Sequence, residues 1–133
     1  MGAARMSDGI ARSGFDIDLR HGKSREDAFA HVLQGATVEV KSDGACRRTG
    51  NLFVEYRQKG RPSGIAVTTA DYWAFEYFDD CWLLIPTERL RAVARRVWRD
   101  HHGRRQRGGD FNRYEGVLVP IAWLLPQRGL VKV

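Results

Sequence analysis

Residues 37–56 read T-V-E-V-K-S-D-G-A-C-R-R-T-G-N-L-F-V-E-Y. Apolar and charged residues alternate on both sides of a turn-rich middle. A period of two marks strands, so the stretch predicts a hairpin of residues 37–43 and 52–57. Glu39, Lys41 and Asp43 are spaced by two and share one face of the first strand. With the connection centred on residues 46–48, Glu55 of the second strand falls opposite Glu39. Three carboxylates and an amine then form one patch. Like charges side by side on a sheet repel, so folding alone gives no reason for this arrangement. A divalent cation relieves the repulsion.

Working back from the hairpin, Ser24 followed by Asp27 three residues later is a helix-start signature. The helix is expected to run to about Leu33 and to stop at Gly35. Ala28, Phe29, Val32 and Leu33 lie on its apolar side, Asp27 and His31 point away, and Glu26 sits at the edge of the stripe, able to look along the core toward the sheet. Before it, residues 15–19 (F-D-I-D-L) alternate and predict a short strand or an extended lead-in. Residues 1–14 have no apolar core long enough for a signal peptide and read as a flexible tail. Residues 15–133 are then a single domain.

Working forward, residues 58–64 (Q-K-G-R-P-S-G) read as an exposed turn. Thr68 or Thr69 is expected to cap a short helical stretch, A-D-Y-W. Residues 75–78 and 82–85 predict a second hairpin around Asp79-Asp80. Tyr72, Trp73 and Trp82 read as core, and Asp71 as part of the short helix's first turn. Thr87 is expected to cap a helix to Arg99. Leu90, Val93, Ala94, Val97 and Trp98 form its buried face, and Arg89, Arg91, Arg95, Arg96 and Arg99 its other face. Residues 101–109 read as a mobile basic loop, with no third ligand near His101-His102 to suggest zinc. Residues 117–125 predict a final strand, at an edge or bulged because of Pro120. The element order indicates a mixed α/β or α+β domain.

Composition adds a partner class. The chain has 133 residues and a net charge of +6, with 18 Arg against 4 Lys. Arg presents a planar fork of donors that fits phosphate oxygens, although a GC-rich genome also favours Arg. The clustering says more, because residues 89–107 hold eight Arg and a single acid, Asp100. Such a stripe suits a polyanion. No apolar run approaches a membrane span. Cys46 and Cys81 make neither a zinc pattern nor a disulfide framework, which points to a reducing cytosol. Cys46 has no His beside it in sequence and does not read as a nucleophile.

A helix with an inward Glu followed by E-x-K and further acids resembles the PD-(D/E)XK nuclease superfamily. Within it, V-E-V-K-S-D…T-G-N-L-F-V-E-Y…G-R-P-S-G-I…T-A-D-Y-W is similar to small phage and bacterial proteins grouped near Holliday-junction resolvases. The resemblance covers roughly residues 15–90. It implies a restriction-endonuclease-like core, a mixed central sheet of about five strands flanked by helices. It also implies Mg²⁺- or Mn²⁺-dependent hydrolysis of phosphodiester bonds in DNA that is branched or otherwise structured. Glu39, Asp43, Glu55 and Glu26 are the implied metal ligands and Lys41 the implied catalytic amine, while Arg47, Arg48, Arg57, Arg95, Arg96, Arg99, Arg104 and Arg105 grip the nucleic acid. The superfamily's first acid has two candidates in this chain, Asp16 or Asp18 in one register and Asp43 in the other. In the second register Arg57 stands where the family places Lys.

The implied setting is the cytoplasm of a bacterial or phage-infected cell, with DNA as partner and a two-fold homodimer suited to symmetric cutting. Two other readings fit the same residues. One is a non-catalytic nucleic-acid-binding module with a degenerate nuclease fold, and the other an Arg-rich structural or assembly component.

Overall fold

The computed structural model describes residues 13–42 and 44–125. The chain divides into two compact units between Ala36 and Thr37. In the first, helix α1 spans Ser13–Gln34. It begins well before Ser24, so residues 15–19 are helical and not extended. Five alternating residues are a weak strand, whereas adding residues to an existing helix costs little. Lys23 Nζ lies 3.2 Å from the Asp27 carboxylate, an i, i+4 pair that supports this stretch. Gly35 ends the helix as expected, its N–H donating to His31 O at 2.9 Å. The apolar stripe is not buried, however. Phe29 is 55% and Leu33 70% exposed, and Ala28 is exposed with them. Of the expected 1–14 tail, residues 1–12 lie outside the described residues.

The second unit is built on two sheets. Strand β1 (Val38–Lys41) pairs in parallel with β4 (Tyr72–Phe78), Glu39 beside Trp73 and Lys41 beside Phe75. β4 turns at Asp79-Asp80 into antiparallel β5 (Cys81–Pro86), where the sequence predicts a hairpin. The other sheet is antiparallel. It contains β2 (Asn51–Gln58), β3 (Arg61–Pro62), β6 (Arg105–Gly108) and β7 (Tyr114–Pro120) in the order β3-β2-β7-β6. The described strands thus form sheets of three and four and not one sheet of about five. The fold is mixed α+β.

Residues 37–56 therefore do not form a hairpin. The segment between β1 and β2 contains a helical turn of its own, α2 (Cys46–Thr49), and β2 runs along β7. A period of two records which residues face a core, not which strand lies alongside. Leu52 and Val54 sit opposite Val119 and Val117, and all four are at most 1% exposed. That matched apolar face decides the pairing.

Other local expectations shift for similar reasons. The one-turn helix lies at Gly64–Ala66 and not at A-D-Y-W, where Tyr72 and Trp73 already belong to β4. Thr68 Oγ1 instead accepts from Ala70 N at 3.2 Å. The basic segment after residue 100 carries a 3-10 turn, His102–Arg104, and then β6. The last strand starts earlier than expected and ends at Pro120, and it is internal to its sheet, so proline takes the terminal position where its missing N–H matters least. A 3-10 turn, Ile121–Leu124, follows it.

Helix α3 (Thr87–Asp100) is where the sequence expects it. Leu90, Ala94 and Val97, at i, i+4 and i+7, bury into a cluster with Leu52, Val54, Trp73, Phe75, Ile85, Val117 and Val119, so one core serves both sheets. Trp98, expected inside, is 41% exposed. Thr87 is not a cap. It is buried, and its Oγ1 has no hydrogen-bond partner among the described residues. No helix among the described residues is long and apolar enough to cross a membrane.

Candidate functional site

Glu39 and Lys41 stand on the face of β1 that also carries the Trp73 side of β4, at the edge of the sheet. Lys41 Nζ lies 3.4 Å from Glu39 Oε2 and 5.2 Å from the centre of the Trp73 ring. Both side chains are partly exposed. Asp71 locks the start of this strand. Its Oδ2 accepts from Thr37 N at 3.0 Å and from Thr37 Oγ1 at 3.3 Å, while its own N–H donates to Thr37 O at 2.9 Å. It thus anchors a parallel strand pair and does not head a helix.

Glu55 arrives from the other sheet. The pairing of β2 with β7 shifts register between Glu55 and Arg57, and the chain after β3 folds back against this irregularity. Ser63 N donates to Tyr56 O at 3.0 Å, and Ser63 Oγ donates to Glu55 Oε2 at 2.5 Å. Gly64 follows with φ +53°, so close to β2 that a Cβ there would lie 2.2 Å from Glu55 O. From α3, Arg91 Nε donates to Ile65 O at 3.2 Å and Arg91 Nη2 to Thr68 O at 3.1 Å. Arg91 is therefore a fastener for this turn. It is not part of a solvent-facing stripe, as helical position alone suggested.

These contacts shape an open, polar cavity of about 650 Å³ lined by Glu39, Lys41, Glu55, Ser63 and the 67–70 segment. Glu39, Lys41 and Glu55 thus line one cavity although their strands belong to different sheets. Glu26 is exposed on α1. Asp16 and Asp18 lie within α1 and not on a strand leading to Glu39. Asp43 lies outside the described residues. Cys46 is buried.

Among the described residues no group of three His, Cys, Asp or Glu side chains forms a ready-made metal cage. Mg²⁺ does not need one. It is usually held by one or two carboxylates, keeps several waters and prefers oxygen ligands. Two carboxylates on separate strands of one open, polar cavity fit that requirement. Ser63 fixes one oxygen of Glu55 and leaves Oε1 for a cation or water.

The basic residues divide into those held by the protein and those left to solvent. Arg104 Nη1 donates to Asn51 Oδ1 at 3.2 Å, and Arg105 donates twice to Trp98 O. Arg57 pairs with Glu115 at 3.3 Å. Arg99 forms a two-pronged bond with Asp100, which holds the Asp100 carboxyl below the usual carboxylate range and raises the guanidinium in turn. Arg47 lies over the Phe78 ring and Arg96 over Trp123. Arg48 and Arg95 are exposed.

Sequence reasoning missed Ser63, Gly64 and Arg91. For Ser63 and Gly64 the signal was R-P-S-G-I, part of the pattern behind the resemblance but given no role beyond an exposed turn; for Arg91 there was none. The chain matches no family model, no curated protein and no solved structure.

Proposed function

We propose that this protein is a Mg²⁺- or Mn²⁺-dependent endonuclease acting on branched or otherwise structured DNA, with β1 as the working edge of a nuclease-like core. The observation that carries this reading is the convergence of Glu39, Lys41 and Glu55 on one open cavity. The basic surface supports it, because a net charge of +6 favours a polyanionic substrate.

A bound divalent cation supplies positive charge to the scissile phosphate and acidifies water. The chain's own groups do the rest. Glu39 and Glu55 would hold the cation, and their carboxylates accept hydrogen bonds from water in the cavity. Lys41, aimed by its ion pair with Glu39, donates to the non-bridging oxygens as negative charge grows there. Ser63 keeps the Glu55 carboxylate in one orientation. The exposed Arg side chains position the backbone without reading sequence.

The test is single-turnover cleavage of a four-way junction and a linear duplex in Mg²⁺ and Mn²⁺. Glu39→Gln and Glu55→Gln should each lower the rate by at least about a hundred-fold, the size expected for groups acting in the transition state. Lys41→Ala should lower the rate at saturation and leave affinity nearly unchanged. Binding without cleavage by wild type in either ion would replace this reading with the non-catalytic binding module.

A further inference from the structure

Helix α3 and strand β2 enclose a second cavity, away from the carboxylates. It measures about 450 Å³, and its walls include Tyr56, Ile65, Ala94 and Trp98, with Arg57, Arg91 and Arg95 as the charged residues of the lining. Its size falls within the roughly 300–1,000 Å³ range of small-ligand pockets, and its largely apolar lining with a few charged groups is their usual composition. An adjoining hollow of about 290 Å³ shares Tyr56, Arg57 and Trp98 and adds Arg105 and Arg107. Glu115 is the acid among the residues lining the two hollows, and it is already engaged by Arg57 at 3.3 Å and Arg107 at 4.0 Å.

The aromatic pair at the junction of the hollows is held in place. The Tyr56 and Trp98 rings meet edge to face, centroids 6.5 Å apart. Arg105 lies over the Trp98 ring at 4.0 Å and is tied to Trp98 O at 2.9 and 2.6 Å. That guanidinium lines the smaller hollow and not the larger one; in the larger, the Arg57 guanidinium lies 5.6 Å from the centre of the Tyr56 ring, which leaves Trp98 as the stacking surface. Arg91, which also touches it, has its donors committed to Ile65 O, Thr68 O and Glu88. Arg95 is exposed and makes no ion pair among the described residues.

An apolar slot with aromatic walls, surrounded by Arg, matches a nucleobase whose phosphates need cationic partners. A paired base keeps its faces stacked within the duplex, so only an unpaired base can enter. We propose that this cavity binds an unpaired base of a DNA strand, stacked on Trp98 with the Tyr56 ring, nearly perpendicular to it, against the base edge, and with the adjacent phosphate on Arg95. The Gly64–Ala66 turn lines both this cavity and the carboxylate cavity. One strand can therefore pass from the stacked base to the cleavage site. The choice of DNA as ligand rests on the nuclease reading, whereas the stacking pocket itself does not need cleavage.

Binding is measured in EDTA at fixed ionic strength, using a labelled single-stranded oligonucleotide and the blunt duplex of the same sequence. Wild type should prefer the single strand. Trp98→Ala should weaken single-strand binding by about ten-fold or more, the loss typical of one stacked base, and leave duplex binding nearly unchanged. Trp98→Phe should restore most of it, and Arg95→Gln should reduce the salt dependence. Thermal melts confirm that each variant is folded. Free deoxyadenosine monophosphate should compete only weakly. Equal single-strand affinity in wild type and Trp98→Ala, or equal losses for strand and duplex, overturns the proposal. Competition by the mononucleotide as strong as by the strand overturns it in favour of a free-nucleotide site. Because no divalent ion is present, none of these outcomes depends on whether the protein cuts DNA.

Discussion

A Cβ at position 64 would sit 2.2 Å from the Glu55 carbonyl oxygen, on a backbone with φ +53°. Gly60 has φ +78° with nothing within 4 Å of its virtual Cβ. The two glycines therefore separate conformational strain from steric exclusion. Gly60→Ala should cost about 1 kcal/mol in urea unfolding, the penalty of the left-handed region alone. Gly64→Ala should cost at least about 1 kcal/mol more, because the turn must move off β2, and it should displace Ser63 from Glu55 and slow cleavage. Equal losses would mean that the turn does not depend on this close approach. At this scale the sequence was partly legible. Glu39 and Lys41 share a face because strand geometry requires it, and there they form an ion pair. The sequence placed Glu55 opposite Glu39 across a hairpin; in the structure their strands do not pair, and Glu55 lines the same open cavity from the other sheet, beside a turn fastened by Arg91.

Helix α3 was legible because its buried residues recur at the helical period and Arg fills most of the positions between them. Strand partners were not legible. Alternation in β1 and β2 is compatible with many neighbours, and β7 is distant in sequence. Within α3 the Arg side chains differ in availability. Arg91 is bound to the 65–68 turn and Arg99 to Asp100, whereas Arg95 and Arg96 are exposed. Each phosphate neutralised on duplex DNA contributes about −0.9 to the slope of log affinity against log salt. Arg95→Gln with Arg96→Gln should therefore flatten that slope by about two units. Adding Arg99→Gln should change it further by less than either, since Asp100 already partly neutralises that charge. The measurement is a salt titration of duplex binding in Ca²⁺. An unchanged slope in the double variant would mean this face does not meet DNA and would favour the structural or assembly reading.

At the scale of the whole molecule, carboxylate placement and net charge oppose one another. A chain with a net charge of +6 repels free cations, so any stabilisation by a divalent ion must come from a local site. Glu39 and Glu55 line one cavity only when both sheets are folded around the common core. Unfolding separates them, and a cation held between them therefore favours the native state. At a free concentration about a hundred times its dissociation constant, the gain is about 2.7 kcal/mol. For a domain of this size each kcal/mol raises the melting midpoint by roughly 4–8 °C, so the rise is readily measured. Mn²⁺ or Mg²⁺ should raise the midpoint of wild type above that seen in KCl of equal ionic strength. The Glu39→Gln, Glu55→Gln double variant should lose the difference, and without metal it should melt near wild type because both side chains are partly exposed. If the variant keeps the full metal-dependent shift, the ion binds elsewhere and the carboxylate cavity is not the metal site. If neither protein responds to the ion, a metal-dependent role for this cavity is excluded at the concentrations tested, whatever the stacking pocket binds.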